Sequence, residues 1–215
     1  MNSKIGVTFT KTGLLESEKT IDDNGNEKII TYQKDGVTKS TEAYFKDGKH
    51  HRDDDEPAFI RYHESGEIET KEFFKNGKEH RDGDIPAIIS YYITKTGSII
   101  ISESFYKNGE RHRDGDKPAL VGYYENKSLY YELFYKHDKL HRNESDGPAN
   151  IGYYKNGTIN YKHFYKDGKQ HRDASGPEVS SYTPKGAINR PAVINYYESG
   201  AIKSEQFYKD GKLQM

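Results

Sequence analysis

The chain has 215 residues, with 33 basic side chains against 34 acidic ones and a formal net charge of −1. This balance gives no sequence-independent attraction to nucleic acid or to anionic lipid, so we expect neither nucleic acid nor a membrane as a partner. Because there is no cysteine, disulfides, thiolate metal sites and cysteine nucleophiles are excluded.

Residues 1–49 carry glycines at a steady rhythm, with Gly13, Gly25, Gly36 and Gly48 separated by 11 or 12 residues. This is the length of one strand plus a turn, so the segment is predicted to be a β-meander that caps the chain. The first ten residues lack a cationic start followed by an apolar stretch. We therefore expect a soluble protein in the cytoplasm of a bacterial cell or of a virus-infected host cell.

Residues 50–215 are a tandem repeat marked by the dipeptide His-Arg, continuous with the cap as one domain. The dipeptide returns at intervals of 29 to 32 residues, and a polar stretch and a proline follow it. Periods of this length are typical of stacked supersecondary units. The five copies are His51-Arg52, His80-Arg81, His112-Arg113, His141-Arg142 and His171-Arg172.

Each repeat is predicted to be a β-hairpin with a glycine turn. Alternate residues after each proline, such as Ala149, Ile151 and Tyr153, share one face and form the predicted core. The second strand ends on two adjacent aromatics, of which the first is predicted to be drier and the second wetter. Ile159, five residues before Phe164, has the wrong parity for the same face, so either a β-bulge intervenes or both faces are covered.

The fold class that follows is all-β, an elongated antiparallel β-meander of tandem hairpins with about 14 to 16 strands. The consensus Pro-Ala-x-Ile-x-Tyr-Tyr, then Glu-x-Phe-Tyr-Lys-Asn/Asp-Gly-Lys-x-His-Arg, resembles the MORN-variant repeats of bacterial YwqK-like antitoxin-component proteins. The resemblance covers about residues 30–215 and implies hairpin repeats, no known catalysis and a protein-binding role.

The His-Arg pairs are interpreted as structural staples of the long loops. Each arginine is expected to pair with acids in its own loop, such as Arg52 with Asp53 or Asp54 and Arg81 with Asp82 or Asp84, and to donate to loop carbonyls. Recognition of an acidic partner by the row of arginines is the alternative. Equivalent histidines two strands apart are separated by roughly 10 Å, so no metal site is predicted. No cofactor is expected.

The same residues recur five times, whereas an active site needs one asymmetric constellation, so we expect no catalytic residue and no enzyme. The leading hypothesis is a protein-binding module, acting as an inhibitor, an antitoxin-like neutraliser or a scaffold. The alternative is a structural component of a viral or cell-surface assembly, with self-association. The expected partner-binding residues are the wetter aromatics and the tyrosines beside them: Phe74, Tyr106, Tyr135, Tyr165, Tyr208, Tyr92, Tyr124, Tyr154 and Tyr197.

The repeat is compressed between Tyr182 and Pro191, where the aromatic pair and the His-Arg are absent. A missing hairpin there is expected to bend the array or to open a gap, and local stability is expected to be lowest there or in the cap. We interpret the break as a structural irregularity, with a hinge or a partner-specific notch as the alternatives.

Overall fold

The computed structural model describes residues 3–95, 97–173 and 190–214, and every regular element in these ranges is a strand, so none is a helix that could span a membrane. In chain order the first strands are β1 (Ser3–Phe9), β2 (Leu15–Ile21), β3 (Glu27–Tyr32), β4 (Lys39–Lys46), β5 (Lys49–His50), β6 (Phe59–Tyr62), β7 (Ile68–Glu72), β8 (Phe74–Lys75), β9 (Lys78–Glu79), β10 (Ile88–Thr94), β11 (Gly97–Ser104) and β12 (Tyr106–Lys107). The remaining strands are β13 (Glu110–Arg111), β14 (Leu120–Tyr123), β15 (Leu129–Leu133), β16 (Tyr135–Lys136), β17 (Lys139–Leu140), β18 (Asn150–Tyr153), β19 (Ile159–His163), β20 (Tyr165–Lys166), β21 (Lys169–Gln170), β22 (Val193–Tyr196), β23 (Ile202–Gln206), β24 (Tyr208–Lys209) and β25 (Lys212–Leu213).

The chain divides into two compact units, residues 1–110 and residues 111–215. In the first unit eight strands form an antiparallel meander in the order β1-β2-β3-β4-β6-β7-β10-β11, and in the second six do so as β14-β15-β18-β19-β22-β23. The two-residue strand β5 pairs with the end of β4, and the other two-residue strands form small hairpins of their own, such as β16 with β17 and β20 with β21. The predicted all-β meander of tandem hairpins is confirmed, whereas the division into a cap of residues 1–49 and the repeats stays a prediction.

Two kinds of turn alternate along the chain. In the small hairpins both central residues have positive φ, as at Asp167 (50°) and Gly168 (82°), which is the type I′ geometry. In the turn of a main hairpin a single residue has positive φ, such as Gly157 (87°), whose N–H donates to the carbonyl of Tyr154 at 2.8 Å, and Lys127 (66°) takes this place between β14 and β15. These longer turns are therefore not of type I′.

A β-bulge in each repeat hairpin resolves the parity conflict. In β18–β19, Gly152 pairs with Tyr161 but Tyr153 pairs with Ile159, so Asn160 is an extra residue. The same shift occurs in β6–β7, β10–β11, β14–β15 and β22–β23. The bulge turns Ile159 toward the face of Tyr153, and both pack against the core.

The core lies on the face that period-two spacing predicted. Each repeat contributes one fully buried alanine to it: Ala58 and Ala87 in the first unit, and Ala119, Ala149 and Ala192 in the second. In the second unit Phe134 packs on Ala149 and Ile151 of the next hairpin. The Phe134 N–H also donates to the Ala149 carbonyl at 2.8 Å. Phe73 and Phe164 donate in the same way to Ala87 and Ala192, so the first aromatic of these repeats joins one hairpin to the next.

The compressed segment at residues 182–189 lies outside the described residues, and its stability stays a prediction. On either side of it the sheet continues, because Tyr161 of β19 pairs with Asn195 of β22. The register is the one that pairs Tyr131 with Gly152 between β15 and β18. The predicted gap is therefore wrong, since the hairpin after Pro191 takes the usual position beside β19, whereas the predicted bend stays a prediction.

Candidate functional site

The arginine of the His-Arg pair covers the buried aromatic of its own repeat. The Arg81 guanidinium carbon lies 3.7 Å from the ring centroid of Phe73, and Arg142 lies 3.8 Å from that of Phe134. Each arginine also donates from Nη1 to a proline carbonyl at the end of its loop, at 3.1 to 3.3 Å: Arg52 to Pro57, Arg81 to Pro86, Arg113 to Pro118, Arg142 to Pro148 and Arg172 to Pro191.

The carboxylate that pairs with the arginine belongs to the preceding loop. Arg81 donates from Nε and Nη2 to the two carboxylate oxygens of Asp55, both at 2.8 Å. Arg142 holds Asp116 in the same way at 2.7 Å. Arg52 in the first loop instead approaches Glu56, at 3.8 Å. The partners predicted within the loops are therefore wrong: Asp53 or Asp54 for Arg52, and Asp82 or Asp84 for Arg81.

The histidine connects its loop to the next small hairpin. His80 Nδ1 accepts a hydrogen bond from the Asn108 backbone N–H at 3.0 Å, so the Nε2 proton is left to donate to Asp82 at 3.0 Å. Lys75 also donates to Asp82, at 2.8 Å, and the lysine and the histidine together lower the pKa of this carboxyl to about 2. The loop aspartate is thus held by lysine and histidine, which explains why the arginine reaches back to another loop.

The predicted wetter aromatics are half-buried and contact neighbouring repeats. Tyr165 packs against the Phe134 cluster, and Tyr208 packs against the equivalent cluster around Phe164. The Tyr135 ring lies 5.0 Å from the Arg111 guanidinium carbon, and Phe74 lies 5.1 Å from the ring of His50. Tyr106 is half-buried as well. A partner-binding role of this row stays a prediction.

The other predicted tyrosines lie at the opposite ends of the strands, where the main hairpins turn. Tyr92 and Tyr197 are 48% and 53% exposed. Tyr124 and Tyr154 each donate a hydroxyl hydrogen bond to a backbone carbonyl of the next hairpin: Tyr124 to Tyr153 at 2.8 Å, and Tyr154 to Tyr196 at 2.7 Å. Both rings are therefore held in place along this end of the sheet.

The sequence did not single out Tyr130. It is the bulge residue of β14–β15, is 47% exposed, and has its ring centroid 4.8 Å from that of Tyr124. We call Tyr124, Tyr130, Tyr154 and Tyr197 of the second unit the tyrosine edge.

Two more tyrosines extend the aromatic surface over the sheet beside the tyrosine edge. The Tyr131 and Tyr161 rings lie on Gly122 and Gly152, and a Cβ at Gly152 would come 2.1 Å from Tyr161 Cε1. Burial raises the pKa of both tyrosines, which keeps their hydroxyl groups neutral. Glycine leaves the space in which each ring can lie flat on the strand.

Within the described residues, no three His, Asp or Glu side chains come together in a way that could hold a metal ion.

Two hairpins match a known family model, the MORN repeat variant, at residues 58–76 and 192–214. The matched segments contain β6 to β8 and β22 to β25, each a main hairpin followed by part or all of a small one. The predicted resemblance to MORN-variant repeats is thereby confirmed, whereas the link to antitoxin components stays a prediction. A search among curated proteins finds no match.

Proposed function

We propose that this MORN-variant chain is a non-enzymatic protein-binding module whose contact surface centres on the tyrosine edge. The observation that carries the proposal is the hydroxyl bonding of Tyr124 and Tyr154, which fixes their rings beside the exposed rings of Tyr130 and Tyr197. Tyrosine buries a large area at a low cost in side-chain entropy, and rings that are already fixed lower that cost further.

The expected size of the contact follows from the tyrosines. One aromatic side chain buries about 150 to 250 Å² in full, and these four are already partly covered. They supply a few hundred Å², less than the roughly 800 Å² that each partner buries in a stable complex. The tyrosine edge is therefore the centre of the interface, where aromatic residues supply most of the binding energy, and neighbouring polar turns complete it.

The near-neutral charge of the chain favours a protein over nucleic acid or a membrane as the partner. An inhibitor, an antitoxin-like neutraliser and a scaffold are the roles that fit such a surface, and the resemblance to antitoxin components supports the first two. The module acts in the cytoplasm.

The test begins with affinity capture of a partner, followed by calorimetric measurement of its Kd. We expect Tyr130→Ser and Tyr197→Ser each to weaken binding by about tenfold, which corresponds to about 1.4 kcal/mol. Glu125→Ser, at an exposed turn position next to Tyr124, is the matched control and should change Kd less than twofold. Unchanged binding by both tyrosine variants would overturn the proposal. Concentration-dependent self-association that the same variants abolish would favour the role in an assembly instead.

A further inference from the structure

One His-Arg loop lacks the aspartate that other loops hold between a lysine and a histidine. In the second loop the Asp82 carboxylate lies 2.8 Å from Lys75 Nζ and 3.0 Å from His80 Nε2. We call this lysine-aspartate-histidine arrangement the clamp. The first loop has the same clamp, in which the Asp53 carboxylate lies 3.1 Å from Lys46 Nζ and 2.9 Å from His51 Nε2. At the equivalent position the fourth loop has Asn143.

The lysine and the histidine of the clamp are nevertheless retained in the fourth loop, as Lys136 and His141. His141 Nδ1 accepts a hydrogen bond from the Asp167 N–H, at 3.2 Å, and also lies 3.0 Å from Asp167 Oδ1, so the ring is anchored through Nδ1 and Nε2 is left for the loop side. The Asn143 amide donates to Asp146 at 3.0 Å instead. Within the part of the chain that the structure describes, neither Lys136 Nζ nor His141 Nε2 has a hydrogen-bond or ion-pair partner.

A cavity of about 470 Å³ opens at this place, and Lys136, His141 and Asn143 line it. The carboxylates that also line the cavity have donors of their own. Asp116 is held by both arms of Arg142, Asp114 lies 3.1 Å from His112 Nε2, and Asp146 accepts from Asn143 and Ser145. Of the cationic side chains on the wall, Arg142 is paired with Asp116, whereas the Lys136 ammonium has no hydrogen-bond or ion-pair partner within the described residues.

We propose that this cavity binds the carboxylate of an aspartate or glutamate side chain of a protein partner. One carboxylate oxygen accepts from the Lys136 ammonium and the other from His141 Nε2–H, as the loop aspartate does in the first two loops. His141 supplies the required donor through Nε2–H, which both the neutral Nε2–H tautomer and the imidazolium carry. The cavity exceeds the volume of a carboxylate, so the stem of the side chain enters with it. The proposal rests on the protein-binding role and adds an acidic contact at the end of the strands away from the tyrosine edge.

The test uses the peptide acetyl-Ala-Asp-Ala-amide as the probe, with its Asn counterpart as the neutral control, at constant ionic strength. We expect the Asp peptide to shift the NMR signals of the His141 ring and the Lys136 Nζ saturably, and the Asn peptide to leave them in place. Asn143→Asp supplies the missing carboxylate from within the chain and should weaken peptide binding at least tenfold. Asp82→Asn, at a side chain that is 77% exposed, should create a second site at Lys75 and His80.

Equal shifts with the Asn peptide, or unchanged binding by Asn143→Asp, would overturn the site. Acetate and phosphate distinguish the sources of the anion. Acetate should bind at the same place more weakly than the peptide, and phosphate no more tightly than acetate. Acetate that binds as tightly as the peptide would show a site for free carboxylates. Phosphate that binds more tightly than acetate would show a site for phosphate. Either result would contradict the proposal. The Asp peptide tests only the cavity at Lys136 and His141, so a peptide that does not bind leaves the proposed role of the tyrosine edge unaffected. Unchanged partner binding by the Tyr130 and Tyr197 variants would instead overturn the proposed function itself.

Discussion

Replacing Arg81 with alanine is expected to destabilise the first unit by about 3 kcal/mol, because three contacts are lost together. The bidentate pair with Asp55 is partly exposed and contributes about 1 kcal/mol after screening by solvent. The hydrogen bond to the Pro86 carbonyl contributes about 1 kcal/mol, and the guanidinium over Phe73 about another. Urea denaturation followed by circular dichroism measures the free energy of unfolding.

Double-mutant cycles then identify the partner of Arg81. Coupling with Asp55→Asn should be about 1 kcal/mol, whereas coupling with Asp82→Asn should stay below about 0.3 kcal/mol. Arg61→Ala, at an exposed arginine of the same unit, is the control and should change stability by less than about 0.5 kcal/mol. A loss below about 1 kcal/mol for Arg81→Ala, or coupling to Asp82 instead of Asp55, would refute the assignment of the arginine as a link between successive loops.

Three further predictions concern the core and its ion pairs. Ala149→Val places a larger side chain at a fully buried position and should lower the free energy of unfolding, measured by thermal denaturation, by about 1 to 3 kcal/mol. Ala201→Val, at an exposed position, should leave stability nearly unchanged, and equal effects of the two substitutions would contradict the packing. Tyr165→Ser should lower the free energy of unfolding by about 2 kcal/mol or more, because the ring packs on the core, and unchanged stability would show it to be free for a partner. Burial alone would raise the pKa of Glu42, but hydrogen bonds from two lysines and two tyrosines lower this pKa to about 2. The ionised Glu42 therefore contributes at most about 3 kcal/mol to the free energy of unfolding. This contribution is present above pH 4.5 and disappears as the pH falls toward 2. The stability difference between the wild type and Glu42→Gln should shrink over that range, and a constant difference would contradict this.

The features that depended on neighbours in sequence were predictable. The spacing of glycines and of His-Arg pairs gave the hairpin period, and alternation along one strand identified the face of Ala149 and Ile151. The arginine partners were not predictable in this way. Asp82 is adjacent to Arg81 in sequence, whereas Asp55 is brought near only when successive loops stack.

The candidate site shows the same limit. A bulge shifts the register by one residue, and the sequence indicated the parity conflict without locating the extra residue, so Tyr130 was not recognised as exposed. The carboxylate site at Lys136 became visible only by comparison with the intact clamp around Asp82, since a lysine and a histidine five residues apart carry no such signal alone. The loops that hold Asp53 and Asp82 thus provided the comparison that identified the fourth loop, with Asn143, as different.

Site-specific photo-crosslinking tests the central claim, that the tyrosine edge contacts a protein, most directly. Benzoylphenylalanine replaces Tyr130 in one variant and Thr12, an exposed turn residue of the first unit, in a control variant. We predict a covalent adduct with the captured partner from position 130 and none from position 12. No adduct from position 130, with the partner still bound to the variant, would contradict it.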